Sequence, residues 1–197
     1  MTRTRRLLVP VLLLAAGVAQ PALAQTTPPL SFEVRGGAGL PVSDFSDGVG
    51  SGWIVGGTVR YQANPGWNVY AGLDFASFPL DEQDSDVDVR IRDYGLRTGI
   101  RTDLRFAAAP GATPWLEFGL LVNRASVRAS AGEMSATVDS DWALGFEAGA
   151  GVSVPFSPRA SFTPGVRYRL YRTGFDDVEG KADVEYFVVD LGIKVRL

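Results

Sequence analysis

The chain has 197 residues, 46% of them hydrophobic and 21% charged, with 23 Gly, 12 Pro, no Cys and no His. The length suits a single domain, and the charge and aromatic content argue against disorder. Without Cys there are no disulfides, thiolate metal sites, cysteine nucleophiles or lipidated N-terminal Cys. Without His, serine triads, imidazole bases and nearly all zinc chemistry are excluded as well.

The N-terminus carries a targeting pattern. Arg3, Arg5 and Arg6 precede an apolar run from Leu7 to Val18, interrupted only by Pro10, and Ala22-Leu23-Ala24 is a small-x-small cleavage pattern. Residues 1–24 therefore read as a cleaved signal peptide and 25–197 as the exported domain. An uncleaved anchor is the weaker reading, because the run is short for ~30 Å of hydrocarbon. Losing the leader removes three of the 19 basic residues and none of the 22 acidic ones, so the exported part is more acidic than the net −3 of the whole chain. No nucleic-acid partner is expected of it. No other apolar run approaches the ~20 residues of a membrane helix. Periplasm, medium and outer membrane remain as destinations.

From Leu30 onward the sequence alternates with period two, the strand period. Eight segments follow, each near the ~10 residues of a tilted membrane strand. The first, Leu30 to Leu40, sets Leu30, Phe32, Val34, Ala38 and Leu40 against Ser31, Glu33, Arg35, Gly37 and Gly39. The second, Trp53 to Gln62, sets Val55, Val59 and Tyr61 against Gly56, Thr58 and Arg60. The third, Trp67 to Phe78, sets Val69, Leu73 and Phe75 against Tyr70, Gly72 and Asp74. The fourth, Tyr94 to Phe106, sets Leu96, Ile100 and Leu104 against Arg97, Gly99, Arg101 and Asp103. The fifth, Trp115 to Val127, sets Leu116, Phe118, Leu120 and Val122 against Glu117, Gly119 and Asn123. The sixth, Trp142 to Val154, sets Leu144, Phe146 and Val152 against Gly145, Glu147, Gly149 and Gly151. The seventh, Ser161 to Tyr171, sets Phe162, Val166 and Tyr168 against Thr163, Gly165, Arg167 and Arg169. The eighth, Val184 to Leu197, sets Phe187, Val189, Leu191 and Ile193 against Asp190, Gly192, Lys194 and Arg196.

Short connections (63–66, 107–113, 156–160) alternate with longer polar ones (41–52, 79–88, 128–141, 173–182), the rhythm of an up-and-down sheet. One irregularity interrupts it. Val87, Val89 and Ile91 are odd-numbered, whereas the apolar face from Tyr94 onward is even, so a bulge near Arg92-Asp93 or a strand beginning at Tyr94 is expected.

The apolar faces carry no mid-strand charge, which fits contact with lipid and equally the dry core of a soluble barrel or sandwich. Aromatic placement favours lipid. Tyr61, Trp67, Phe106 and Phe162 lie near the short turns; Trp53, Phe75, Tyr94, Trp142, Tyr168 and Phe187 lie near the long loops. Two such girdles are expected at the two membrane interfaces.

The chain end, Asp190-Leu191-Gly192-Ile193-Lys194-Val195-Arg196-Leu197, resembles the C-terminal assembly signal of bacterial outer-membrane proteins, with Gly192, Val195 and Leu197 at its marked positions and Leu197 where Phe is usual. With the leader and the eight segments, the exported chain resembles the small outer-membrane β-barrel family of A-like, X-like and opacity-type barrels. That resemblance implies an all-β, eight-stranded, antiparallel, up-and-down transmembrane barrel in the outer membrane. It also implies lipid and lipopolysaccharide as neighbours and the barrel-assembly machinery as a partner of the last strand. No further domain is expected after Leu197.

An eight-stranded lumen is just wide enough to be filled by side chains. Its expected network pairs Glu33, Asp74, Glu117, Glu147 and Asp190 with Arg35, Arg60, Arg97, Arg101, Arg167 and Arg169, since isolated buried charge is costly. The same residues would line a pore if the lumen leaks, and with Lys194 and Arg196 the inward face carries eight basic groups against five acids, an excess that would favour anions. The acidic stretch 81–88 places Asp84, Asp86 and Asp88 at the start of an EF-hand spacing, but Val89 and Gly95 stand where Gly and Glu are required. It reads as a solvated loop, and no metal or cofactor is expected. Phe45, Met134 and Phe175 are the loop residues available to a surface ligand. The expected function is a non-catalytic structural or surface-interacting barrel. A narrow solute channel and a soluble periplasmic ligand-binding barrel are the alternatives.

Overall fold

The computed structural model describes residues 30–80, 88–104, 111–131, 134–174 and 181–197. The leader, most of the acidic stretch, Phe106 and Phe175 lie outside the described residues, and of Met134 only the backbone is described. The strands are β1 (Leu30–Pro41), β2 (Gly52–Asn64), β3 (Trp67–Pro79), β4 (Asp88–Asp103), β5 (Thr113–Ala131), β6 (Met134–Asp139), β7 (Ala143–Pro155), β8 (Ala160–Phe162), β9 (Gly165–Thr173) and β10 (Ala182–Arg196). All pairings are antiparallel, and β10 pairs with β1, so the sheet closes into a ring.

Ten strands make eight staves. β8 and β9 form one stave interrupted at Pro164, whose missing N–H cannot join the ladder; the register against β7 and β10 is the same on both sides of the break. β6 and β7 form another. Ser126 pairs with Asp139 and Asn123 with Ala143, so residues 140–142 oppose only 124–125, a bulge. The stretch read as a long loop from Arg128 to Asp141 is instead mostly hairpin, because β5 continues to Ala131 and β6 returns along it.

The expected irregularity at the start of the fourth strand is corrected. β4 begins at Asp88 and keeps one unbroken register against β3 and β5 to its end. Val89 and Ile91 share the inward face of Asp93 and Arg97, and Ile91 packs on an apolar cluster inside the barrel mouth. The outward face is what changes character there: above Tyr94 it carries Arg92 and Arg90 rather than apolar residues.

The register fixes the barrel's size. Stepping across paired residues from Ser31 through Arg60, Tyr70, Gly99, Gly119, Glu147, Arg169 and Tyr186 returns to β1 at Pro41, ten residues beyond the start. For eight strands this shear implies a tilt of about 40° and a backbone radius of about 8 Å.

Leu73, Phe118, Leu144, Leu191 and Ile193 are exposed on the outer wall, while Glu33, Glu147, Arg167 and Arg169 are at most 1% exposed. This is the order of a membrane barrel and the reverse of a soluble one, so the soluble alternative is excluded. Girdle aromatics meet in cross-strand pairs at the loop end: Trp53 with Phe75, Tyr94 with Trp142, and Tyr168 with Phe187, at ring separations of 5.4, 5.9 and 5.2 Å. Tyr61, Trp67 and Phe162 are exposed at the turn end. Along β2, Trp53 and Tyr61 are roughly 20 Å apart along the barrel axis at ~3.3 Å per residue and this tilt, about the height of an outer-membrane apolar band.

Candidate functional site

The candidate site is the lumen, whose side chains are positioned by strand parity. The six predicted arginines and five predicted carboxylates all point into it and are buried or nearly so. Glu33 on β1 accepts two bonds from Arg60 on β2, at 2.5 and 2.9 Å, and one from the Thr163 hydroxyl at 3.0 Å. Asp74 on β3 accepts from Arg35 at 2.6 Å and lies against Arg97 at 3.0 Å and Arg169. Glu147 on β7 accepts from Arg97 at 2.8 Å, Arg169 at 3.0 Å and the Tyr70 hydroxyl at 3.0 Å. Glu117 on β5 pairs with Arg167, with Arg97 at 3.6 Å. Asp190 on β10 pairs with Arg167, with Arg35 at 3.7 Å. Arg101 is bonded to Ser153 at 2.7 Å and to Asp103 at 3.2 Å, and is 3.9 Å from Glu33. Each carboxylate therefore faces at least two guanidiniums, the arrangement that offsets the desolvation of buried charge.

Sequence parity placed these groups on one face but missed what surrounds them. Trp115 is 1% exposed, and the guanidinium carbons of Arg101 and Arg167 lie 4.2 and 5.1 Å from its ring centre. Asp93 is buried, accepting from Tyr186 and Asn123 at 2.7 Å each. The signal for Asp93 was present, since it shares parity with Arg97, but the expected break at that point hid it. With Asp93 and Asp103 also facing inward, and Arg196 exposed at the turn end, the basic excess read from the sequence nearly vanishes, and with it the argument for anion preference.

Above the charges the lumen becomes apolar. A 3-10 turn, Ser43–Ser46, follows β1 and drops Phe45 into the barrel mouth. Its ring meets Phe78 at 5.6 Å and Tyr186 at 6.3 Å, and Phe78 meets Tyr186 at 5.1 Å. Val49, Ile54, Ala76, Ala143, Tyr171, Val184 and Val188 complete the cluster. Phe45 is 9% exposed, so it packs inside the barrel mouth and is not the free surface contact the sequence suggested. Tyr186 joins the two layers, packing on Phe45 and Phe78 while its hydroxyl bonds Asp93.

Inward glycines make room for the large side chains. A Cβ at Gly151 would lie 2.3 Å from Trp115, one at Gly119 would lie 2.2 Å from the Tyr70 hydroxyl, and one at Gly39 would lie 2.6 Å from Phe78. Gly192, marked in the sequence as part of the assembly signal, faces inward against Thr163 and Glu33; Val195 faces outward, and Leu197 lies beyond the end of β10, exposed.

Outer-membrane proteins are among the solved structures with this architecture. Neisserial surface protein A aligns with a TM-score of 0.61 at 19% identity, over 88% of this chain and all of that one. A major outer membrane protein from Thermus thermophilus aligns with a TM-score of 0.55 at 15% identity, over 85% of this chain and 99% of that one. No curated protein sequence matches the chain. The outer membrane protein beta-barrel domain model spans residues 11–195, and the closed ring, outward apolar wall and inward charges are what that domain requires: the chain is a member of the outer membrane protein beta-barrel family, located in the outer membrane.

Proposed function

We propose that the protein is a non-conducting, non-catalytic barrel whose working surfaces are its outer wall and its extracellular rim. The observation that supports this reading is the packing of buried side chains at two levels of the lumen. Guanidinium–carboxylate pairs fill the middle, and Phe45, Phe78 and Tyr186 fill the mouth. The five network carboxylates are each held by arginine, and Asp93 by the Tyr186 hydroxyl and the Asn123 amide, which argues against their acting as acid or base on a substrate. The C-terminal run ending in Val195 and Leu197 serves the assembly machinery in this reading.

Single-channel recording of pure protein in planar bilayers tests the closure. A silent bilayer is expected, and steady conductance overturns the proposal. A gated channel is the second reading, favoured by the placement of Phe45 on a short turn rather than on the wall. Phe45→Ala separates them: it stays silent if the charged layer closes the lumen by itself, and conducts if the plug is the gate.

A further inference from the structure

Outside the lumen, one feature of the wall is unexplained by folding. Above Tyr94 the outward face of β4 carries Arg92 and then Arg90, and the outward face of β5 carries Arg128. Arg90 and Arg128 are direct cross-strand partners. Like charges set opposite one another in a sheet are destabilising unless an anion lies between them. Among the described residues the patch has one carboxylate partner, Asp88, 3.0 Å from Arg90; Arg92 and Arg128 have none. Arg172, on the outer face of β9, differs in being paired with Asp183 on β10.

The surroundings say what the anion is attached to. The three arginines line a groove of about 640 Å3 whose lower wall is Trp53 and Phe75, a girdle pair. Arg92 is two residues beyond Tyr94, which puts it ~5 Å above the girdle, at headgroup height. Below the girdle, the same strands carry a second depression of about 750 Å3, opened where Gly57 and Ala71 stand among Val59, Leu73, Leu96 and Val122. A phosphate set on the arginines would therefore have its acyl chains over an apolar hollow. A free anion has no use for that lower hollow.

We propose that the outer face of β2, β3, β4 and β5 is a binding site for a phosphorylated lipid of the outer leaflet, with Arg90, Arg92 and Arg128 on its phosphate and the hollow around Gly57 and Ala71 receiving an acyl chain. The site is independent of whether the lumen conducts.

Native mass spectrometry of the full-length barrel in a zwitterionic detergent tests it, with diphosphoryl lipid A as probe. Wild type retains the lipid. The triple variant Arg90→Gln, Arg92→Gln, Arg128→Gln binds at least tenfold more weakly, and Arg172→Gln binds as wild type does. Inorganic phosphate at millimolar concentration leaves lipid binding unchanged. Stability supplies a second readout with opposite signs. In detergent alone Arg128→Gln unfolds at the same or a higher denaturant concentration than wild type, because a like-charge pair is removed; with lipid A present it unfolds at a lower one. Equal lipid binding by wild type and the triple variant overturns the proposal. So does displacement of lipid A by phosphate, which would mark a free-anion site, or a loss of stability in Arg128→Gln that is the same with and without lipid.

Discussion

Glu33→Gln is the sharpest probe of the charged layer, because it keeps the side chain's shape and removes only its charge. Both members of the Glu33–Arg60 pair have side chains 2% exposed or less, and the two bonds between them are a bidentate guanidinium–carboxylate contact. Breaking a buried pair by neutralising one partner typically costs about 3–5 kcal/mol. Glu117 lies 4.0 Å from Arg60 and still offsets part of its charge, so the lower end, about 3 kcal/mol, is expected. Adding Arg60→Met removes the stranded cation and recovers part of the loss. The coupling energy of the cycle should then exceed about 1 kcal/mol. Reversible urea unfolding in lipid vesicles, followed by tryptophan fluorescence and by the heat-dependent gel shift, measures all four proteins. A single-variant loss below about 1 kcal/mol, or additivity within about 0.5 kcal/mol, would refute the claim that this pair is held as buried charge.

Three further outcomes follow from the wall. Leu191 lies midway along the outward face of β10 between Phe187 and Val195, so Leu191→Arg should cost ~2–4 kcal/mol in vesicles, and unchanged stability would contradict its placement near the bilayer centre. Gly151→Ala drives a methyl to 2.3 Å from both Trp115 and the Pro164 carbonyl and should cost about 1–3 kcal/mol, whereas Gly57→Ala, 3.7 Å from its nearest neighbour, should be neutral or stabilising; the same unfolding assay compares them. Leu197→Asp should lower the amount of barrel assembled in cells while leaving refolding into vesicles unchanged, and equal assembly would remove Leu197 from the signal.

Much of this was legible because alternation is a direct record of a wall with lipid on one side. Leu30, Trp67, the network arginines and the girdle rings among the described residues fall where a period of two puts them. The misses along the wall share a cause: each sits where the wall passes beyond the apolar band. There lipid no longer dictates the outward residue, so Arg90 and Arg92 replace apolar side chains while Val89 and Ile91 face inward. The face is continuous, but hydropathy reverses, and the reversal imitates a bulge. The true bulge, at residues 140–142, lies in a polar stretch that carries no alternation to be broken. Phe45 escaped because the outward chain pattern says nothing of a loop that turns back into the mouth.

Alternation has a further blind spot, and the lumen supplies what it lacks. A slip of one residue turns an apolar face inward and is forbidden, but a slip of two keeps every face correct and changes only the shear. The interior does not tolerate it. Moving β2 by two residues against β1 would take Arg60 off Glu33, and moving β5 against β4 would bring a side chain other than Gly119 opposite Gly99, under Tyr70. Charge pairs and glycine–aromatic pairs thus specify register where hydropathy cannot, a better-founded role for buried ions than stability. Because the chain has no Cys, this is directly measurable by oxidative cross-linking. In the native register Phe32 faces Val59, so cysteines at 32 and 59 cross-link and cysteines at 32 and 61 do not. Neutralising the layer with Glu33→Gln, Arg60→Gln and Glu117→Gln should allow the 32–61 cross-link to form in vesicles beside the native one. A neutralised barrel that still forms only the 32–59 bond would show that the turns alone set the register.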